Sequence, residues 1–457
     1  MYNQVDWSIY LCADRERQSR AIPKGLDHRS AFDSDFGRVI FSSAARRMHD
    51  KTQVFPLSGG DSVHTRLTHS MEVLSVAQSL GTDFCRDEEV VRTYGEEVAH
   101  LLEQQLPAIL RTAAFVHDIG NPPFGHFGEQ IIGTYFSDGN GKNYLSDLTE
   151  EQQFDFTQFD GNAQGFRILT RMPYLNDLNG LNLTYAVLAA SLKYPNCGSK
   201  NKKGGASVHK HGVFSSEADV LGRVADACRL RRADGTIKRH PLAFLVEAAD
   251  TICYRSMDLE DGIQSGMLSL DEALRFLGIT PSQDTPERAL VNLRVAIIGE
   301  LTRYALQRFM ANLEGIDMGT FDEELLDGNE LCEQLGKLEF ERIFRHDTIA
   351  QAELKGAQVM NAILDRVLPM LMEPKPDWRL NAIISPSMTR LVLAEEYQKH
   401  LSANPAHNAS ANPSSNPVPL TELSDLSTYN RLRLIIDWLS GMTDRYALET
   451  YHRLLAL

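Results

Sequence analysis

The stretch 113–130, AAFVHDIGNPPFGHFGEQ, constrains the fold of this chain more than any other. An apolar run delivers the adjacent pair His117-Asp118, after which Ile119-Gly120-Asn121 and the double proline Pro122-Pro123 stop the helix. Proline has no N–H to donate and pushes the residue before it out of helical space. The pair is therefore expected at a helix C-terminal end beside an irregular turn. His126 and Glu129 stand three apart just beyond it, which puts them on one face of the following helical turn. An imidazole beside a carboxylate is a general acid/base arrangement.

Elsewhere the apolar positions recur mostly at helical spacing. In 64–84, His69 shares a stripe with Val73, Val76 and Leu80 and should face inward, although a single histidine on an apolar face is more often a hydrogen-bonded core residue than a ligand. Stretches 160–172 and 181–194 read as short helices, the second ending at Lys193-Tyr194, while 137–159 reads as a long polar loop. The segment 195–212, with Lys200, Lys202, Lys203 and Lys210 among glycines, reads as a mobile loop that a ligand could order.

Stretch 241–262 opens with proline at a helix start and sets Asp250 on a stripe with Val246, Cys253 and Met257. A carboxylate there is costly unless it is paired or metal-bound. Asp250, Tyr254, Asp258 and Asp261 form a polar ridge on the same helix, whose simplest explanation is a solvated face. Arg38, Arg46, Arg47 and Lys51 cluster within 36–53. Such a cluster is more often a solvated face than a phosphate site, although both residue types bind phosphates.

The patterns at 284–372, 385–400 and 421–457 are again helical, and no convincing alternating strand occurs, so an all-α protein follows. Residues 402–419, SANPAHNASANPSSNPVP, are low-complexity and read as a disordered surface loop or linker. At 457 residues the chain exceeds the usual single domain. We divide it into an N-terminal segment 1–60, a helical core 61–270 and a C-terminal helical region 271–457. Lys and Arg number 46 against 61 Asp and Glu, a net charge of −15 that argues against a broad nucleic-acid-coating surface but allows a local basic pocket for a phosphorylated small molecule. The six cysteines form no CxxC pair, which fits a reduced compartment. The N-terminus has no basic region leading into an apolar run, and no apolar stretch approaches a membrane span, so a cytoplasmic protein is expected.

His69, His117, Asp118 and Asp250 thus offer two imidazoles and two carboxylates from three predicted helices. With no thiolate, the set suits Mn²⁺, Fe²⁺, Co²⁺, Mg²⁺ or Zn²⁺. Four protein ligands on an ion that prefers six leave room for water and a phosphate oxygen, a hydrolase layout.

The spacing H…HD…D resembles that of the HD-domain phosphohydrolases. The longer match is to the deoxyguanosine triphosphate triphosphohydrolases, also called dNTP triphosphohydrolases. The similar segments are RVIFSSAARRMHDKTQVFPL from Arg38, HTRLTHSMEV from His64, HDIGNPPFGHFGEQ from His117, DGNAQGFRIL from Asp160, AADTICYRSMDLED from Ala248 and GMTDRYALETYHRL from Gly441. The resemblance implies an HD-domain helical core with additional C-terminal helices. It also implies hydrolysis of deoxynucleoside triphosphates, dGTP preferred, at the α-phosphorus to deoxynucleoside and tripolyphosphate.

Carried over by resemblance, His69, His117, Asp118 and Asp250 hold a divalent metal (Mn²⁺, Mg²⁺ or Co²⁺), and His126 is catalytic, oriented by Glu129. Arg66, Lys193, Tyr194 and Lys210 bind the triphosphate; Gln53, Asn162, Tyr254, Asp258, Phe344 and Glu353 surround the nucleoside. The resemblance further implies a homo-oligomer, commonly hexameric, with single-stranded DNA as a secondary ligand. Two positions depart from the family pattern: Asp160 stands where glutamate is usual and Thr251 where a second aspartate is usual. Region 373–419 matches the deoxyguanosine-selective members poorly. Two alternative readings are an HD-type nucleotide phosphatase and a catalytically weak protein binding nucleotide or single-stranded DNA.

Overall fold

The computed structural model describes residues 5–18, 28–54, 64–173, 177–198, 205–280, 285–403 and 422–455. Among the described residues there is no strand; four isolated bridges, one of them Thr52 to Thr65, are the only β-type pairings. No described helix is long and apolar enough to cross a membrane.

Helix Arg66–Arg86 starts at a capping box in which Thr65 and Thr68 satisfy each other's amides. It packs along helix Glu96–Val116, and helix Pro241–Gln264 crosses both, covered on its other side by helix Pro286–Ala311. Of the apolar stripe read around His69, Val73 and Leu80 are inaccessible, and His69 with them, while Val76 is partly buried. These helices form one apolar cluster. A second gathers around helices Gly125–Ser137, Asp347–Met372 and Thr428–Ser440, and a small third around Ile343 and Ile349.

Three expectations need correction. Stretch 137–159 is not a loop throughout: it holds a 3-10 turn, Asn140–Tyr144, and helix Glu150–Thr157. Thr149 and Gln152 form a capping box there, and Phe156 is fully buried, so a local cap and one buried ring outweigh the acidic composition. The helix read over 181–194 runs only Tyr185–Ala190. Pro195 disfavours helical backbone at Tyr194, so Lys193 and Tyr194 lie in a turn beyond the helix. Nor is the polar ridge on Pro241–Gln264 solvated: Asp258 and Asp261 are both buried, on a helix against which Glu330–Arg342 packs, and His64 covers Asp261 with Nδ1 2.7 Å from its Oδ1.

Of the low-complexity stretch 402–419, the first two residues end helix Pro386–Ala403 and the rest lie outside the described residues, as do Lys200, Lys202 and Lys203 of the lysine-rich segment.

Candidate active site

Helix Glu96–Val116 ends with His117 at its C-cap, and the chain then turns through Asp118 to Pro123. The turn sits tightly on helix Gly161–Arg171. A Cβ at Gly120 would lie 2.1 Å from both the Gly161 carbonyl oxygen and the Gly165 nitrogen, so only glycine allows the approach.

Donor atoms of His69, His117 and Asp250 all lie within 4.8 Å of one another. Asp250 Oδ1 is 3.0 Å from His69 Nε2 and 3.3 Å from His117 Nε2; Asp118 Oδ2 is 3.6 Å from His117 Nε2. His117 Nδ1 faces the Ala114 carbonyl at 2.7 Å. A carbonyl only accepts, so Nδ1 donates to it and Nε2 is turned into the cluster. Burial opposes charge on His117, yet Asp118 and Asp250 outweigh it and raise its pKa to about 9. Burial likewise opposes charge on Asp118, yet Arg66 and His117 hold its pKa down to about 2. A field that favours a proton so strongly favours a cation, and the donor set fits a divalent metal.

Beyond the turn, Phe124 adopts a left-handed conformation and starts helix Gly125–Ser137. Gly125 is left-handed too (φ 60°), and a Cβ there would lie 2.4 Å from Arg66 Nη2. His126 Nδ1 is 2.9 Å from Glu129 Oε2, and Glu129 Oε1 accepts the Gly161 N–H at 2.7 Å. The Glu129 charge and this hydrogen bond raise the pKa of His126. With Nδ1 committed to Glu129, Nε2 is the nitrogen available to a reacting group.

The dyad histidine and the metal-type cluster face one cleft of about 390 Å³. Of the site residues taken from the sequence, Gln53, Arg66, His117, Asp118, His126, Asn162, Lys193, Tyr194, Lys210, Asp250, Tyr254, Phe344 and Glu353 line it. His69 and Glu129 stand behind the residues they touch. Asp258 does not line the cleft; it is buried, with Oδ2 lacking a hydrogen-bond partner.

Toward one side two lysines line the cleft, each beside a carboxylate: Lys193 Nζ is 3.1 Å from Glu247 Oε1, and Lys210 Nζ is 3.6 Å from Asp160 Oδ2. Burial works against charge on both lysines, but Glu247 and Asp160 outweigh it and keep them protonated. Toward another side Tyr254 and Phe344 stack at 6.0 Å with 25° between ring planes, and burial raises the pKa of Glu353. Asp160, despite its shorter side chain, caps helix Gly161–Arg171, accepting the N–H of Asn162 at 2.9 Å and its Nδ2 at 2.8 Å.

The basic cluster of 36–53 stays out of the cleft. Arg38 donates to Leu181 O at 3.2 Å and Arg46 to Phe41 O at 2.9 Å, while Lys51 is buried and donates to the carbonyls of Asn121 and Ser440.

Sequence reasoning missed several lining residues, chiefly Glu247, Asn121, Thr52 and Ile349. Glu247 was detectable by the argument used for Asp250, since it is a carboxylate in the apolar run PLAFLVEAAD three residues earlier. Thr52 and Ile349 carry no comparable local signal.

Residues 66–158 match the HD domain, and residues 411–453 match the phosphohydrolase-associated domain. The chain is 32% identical to a deoxyguanosinetriphosphate triphosphohydrolase-like protein of Listeria monocytogenes, with 98% of this chain and 99% of the relative covered. It is 34% identical to a protein of the same description from Pseudomonas aeruginosa, with 97% of each covered. To the deoxyguanosinetriphosphate triphosphohydrolase of Salmonella typhimurium it is 30% identical, with 100% of this chain and 98% of the relative covered.

Proposed function

The chain belongs to the deoxyguanosinetriphosphate triphosphohydrolase family of HD-domain phosphohydrolases, and from that premise we propose that it hydrolyses deoxynucleoside triphosphates, dGTP preferred, at the α-phosphorus to deoxynucleoside and tripolyphosphate. The observation that carries this reading is a single cleft lined by His126, by the metal-type donors His117, Asp118 and Asp250, and by Lys193 and Lys210. A single-phosphate phosphatase has less use for three separate cations, Arg66, Lys193 and Lys210, along one cleft.

His69, His117, Asp118 and Asp250 would hold a divalent cation, which when bound neutralises charge at the α-phosphate and makes a water more acidic. Attack of water on the α-phosphorus breaks its bond to the 5′-oxygen, so one proton must leave the water and one must reach the departing oxygen. His126 handles that transfer at Nε2, held in one tautomer by Glu129. Lys193, Lys210 and Arg66 pair with phosphate oxygens and orient the chain of three phosphates. Tyr254 and Phe344 offer an aromatic surface to the nucleoside, with Gln53, Asn162 and Glu353 as its polar partners.

The test is incubation of metal-stripped protein with each of the four dNTPs and GTP, with Mn²⁺, Mg²⁺ or Co²⁺ added back and products resolved by ion exchange. Deoxynucleoside plus tripolyphosphate, fastest with dGTP, is expected. Orthophosphate or pyrophosphate as the primary product overturns the reaction assigned here.

A further inference from the structure

The turn that carries His126 is held by a residue 320 positions away in sequence. Asp444, the buried first residue of helix Asp444–Leu455, accepts the Phe124 N–H on Oδ1 at 2.9 Å. Its Oδ2 accepts both the N–H and the hydroxyl of Thr52, at 3.1 and 2.6 Å. All three partners donate, so both oxygens of an ionised carboxylate are in use.

What Asp444 holds is not easily held otherwise. Phe124 has φ 62° and ψ 18°, a left-handed conformation that is strained for a bulky residue, and it caps helix Gly125–Ser137 without any side-chain hydrogen bond. Its ring rests on Gly356, where a Cβ would lie 2.9 Å away. His126 follows two residues later. On the other arm, Thr52 adjoins the cleft residue Gln53, and the Lys51 carbonyl accepts the Arg66 N–H at 2.9 Å.

Building on the hydrolase reading above, we infer that Asp444 is a positioning residue for the reaction: one carboxylate sets the His126 turn and the Thr52-Gln53 segment relative to each other. It lies within the phosphohydrolase-associated domain. That domain thereby gains a stated job in this chain, to clamp the catalytic turn from the C-terminal side. Asparagine keeps the shape of Asp444, but its NH₂ must face either the Phe124 N–H or the Thr52 N–H, so at least one of the two backbone donors loses its acceptor.

The test compares Asp444→Asn and Thr52→Val with the wild type on whichever phosphate ester the wild type hydrolyses. Asp444→Asn is expected to unfold as one cooperative unit and to bind Mn²⁺ like the wild type, because no metal-type donor is touched. Its kcat is expected to fall tenfold or more. Thr52→Val removes only the hydroxyl bond to Oδ2, and its effect is expected mainly on KM, about threefold or more upward. The inference is overturned if Asp444→Asn keeps kcat and KM within twofold of wild type, or if its activity falls only in step with Mn²⁺ affinity and folded fraction. A wild type that cleaves another phosphate ester overturns the triphosphohydrolase reading and leaves this comparison intact; a wild type that cleaves none overturns both.

Discussion

Arg66 Nη1 donates to Asp118 Oδ2 at 2.6 Å, so the arginine expected at the triphosphate and the aspartate expected at the metal form one ion pair. Both side chains are largely buried, and Arg66 Nε has no hydrogen-bond partner. A cation at Asp118 and a phosphate oxygen at Arg66 would divide the pair between them. The two ligands are therefore coupled through it.

Arg66→Ala tests that coupling. It leaves a buried carboxylate without its counter-charge, so the metal-free protein is expected to melt lower than wild type and to recover much of the loss on adding Mn²⁺. KM for the triphosphate should rise about tenfold to a hundredfold, the worth of one or two charge-assisted hydrogen bonds. Steady-state kinetics and thermal melts with and without Mn²⁺ read both effects. An unchanged KM would remove Arg66 from the phosphate site.

The His126-Glu129 pair makes a prediction about pH. Glu129 raises the pKa of His126, so the imidazolium persists to higher pH than an isolated histidine would allow. Glu129→Gln takes the charge away and keeps an amide oxygen for a hydrogen bond. The limb of the kcat profile that reports His126 should move to lower pH, and kcat should fall by about ten to a hundredfold. A profile that keeps its limb in place assigns it to another group.

How far the sequence could be read follows from the range of the interactions. The turn after His117 was legible because Gly120 and the double proline Pro122-Pro123 bar the helix from continuing, although it ends at Val116, six residues before Pro122, and the His126-Glu129 pair because three-residue spacing sets one face. The buried stripe of His69 needed only periodicity. Asp258 was misread as part of a solvated ridge because helix Glu330–Arg342, more than seventy residues away in sequence, covers it. Asp444 and Thr52 were invisible for the same reason: each is an ordinary polar residue until the fold brings them to 2.6 Å. Helix Glu150–Thr157 is a different failure, in which composition outweighed the Thr149-Gln152 cap that was there to be read.

Asp258 has a consequence for stability. Burial first, then the like charges of Glu339 and Asp261, raise its pKa well above the model-peptide 3.8, with Arg255 and His64 opposing. A carboxyl whose folded pKa is raised is neutral in both states below about pH 4, and above that the unfolded chain ionises first, so it lowers stability as pH rises toward the folded pKa. Asp258→Asn removes this slope. The variant should match wild type near pH 4 and melt about 1 °C higher or more by pH 8, on the scale of about 1 kcal/mol. Parallel melting curves across pH 4–9 would contradict the assignment.

The last prediction concerns what the metal must displace. Without a cation, Asp250 and Asp118 hold a proton on His117, whose pKa is raised to about 9. Nδ1 is committed to the Ala114 carbonyl, so the exchangeable proton sits on Nε2, the atom a cation needs. At pH 7 Mn²⁺ binding should therefore release about one proton, and affinity should climb by up to roughly tenfold per pH unit until about pH 9, then level. Calorimetry in two buffers of different ionisation enthalpy counts the proton directly. Asp250→Asn removes one of the two anions that hold the proton there, so it should lower affinity and shrink the proton count together. An affinity that does not vary with pH, or binding without proton release, would mean that His117 is neutral before the cation arrives and that Asp118 and Asp250 do not govern it.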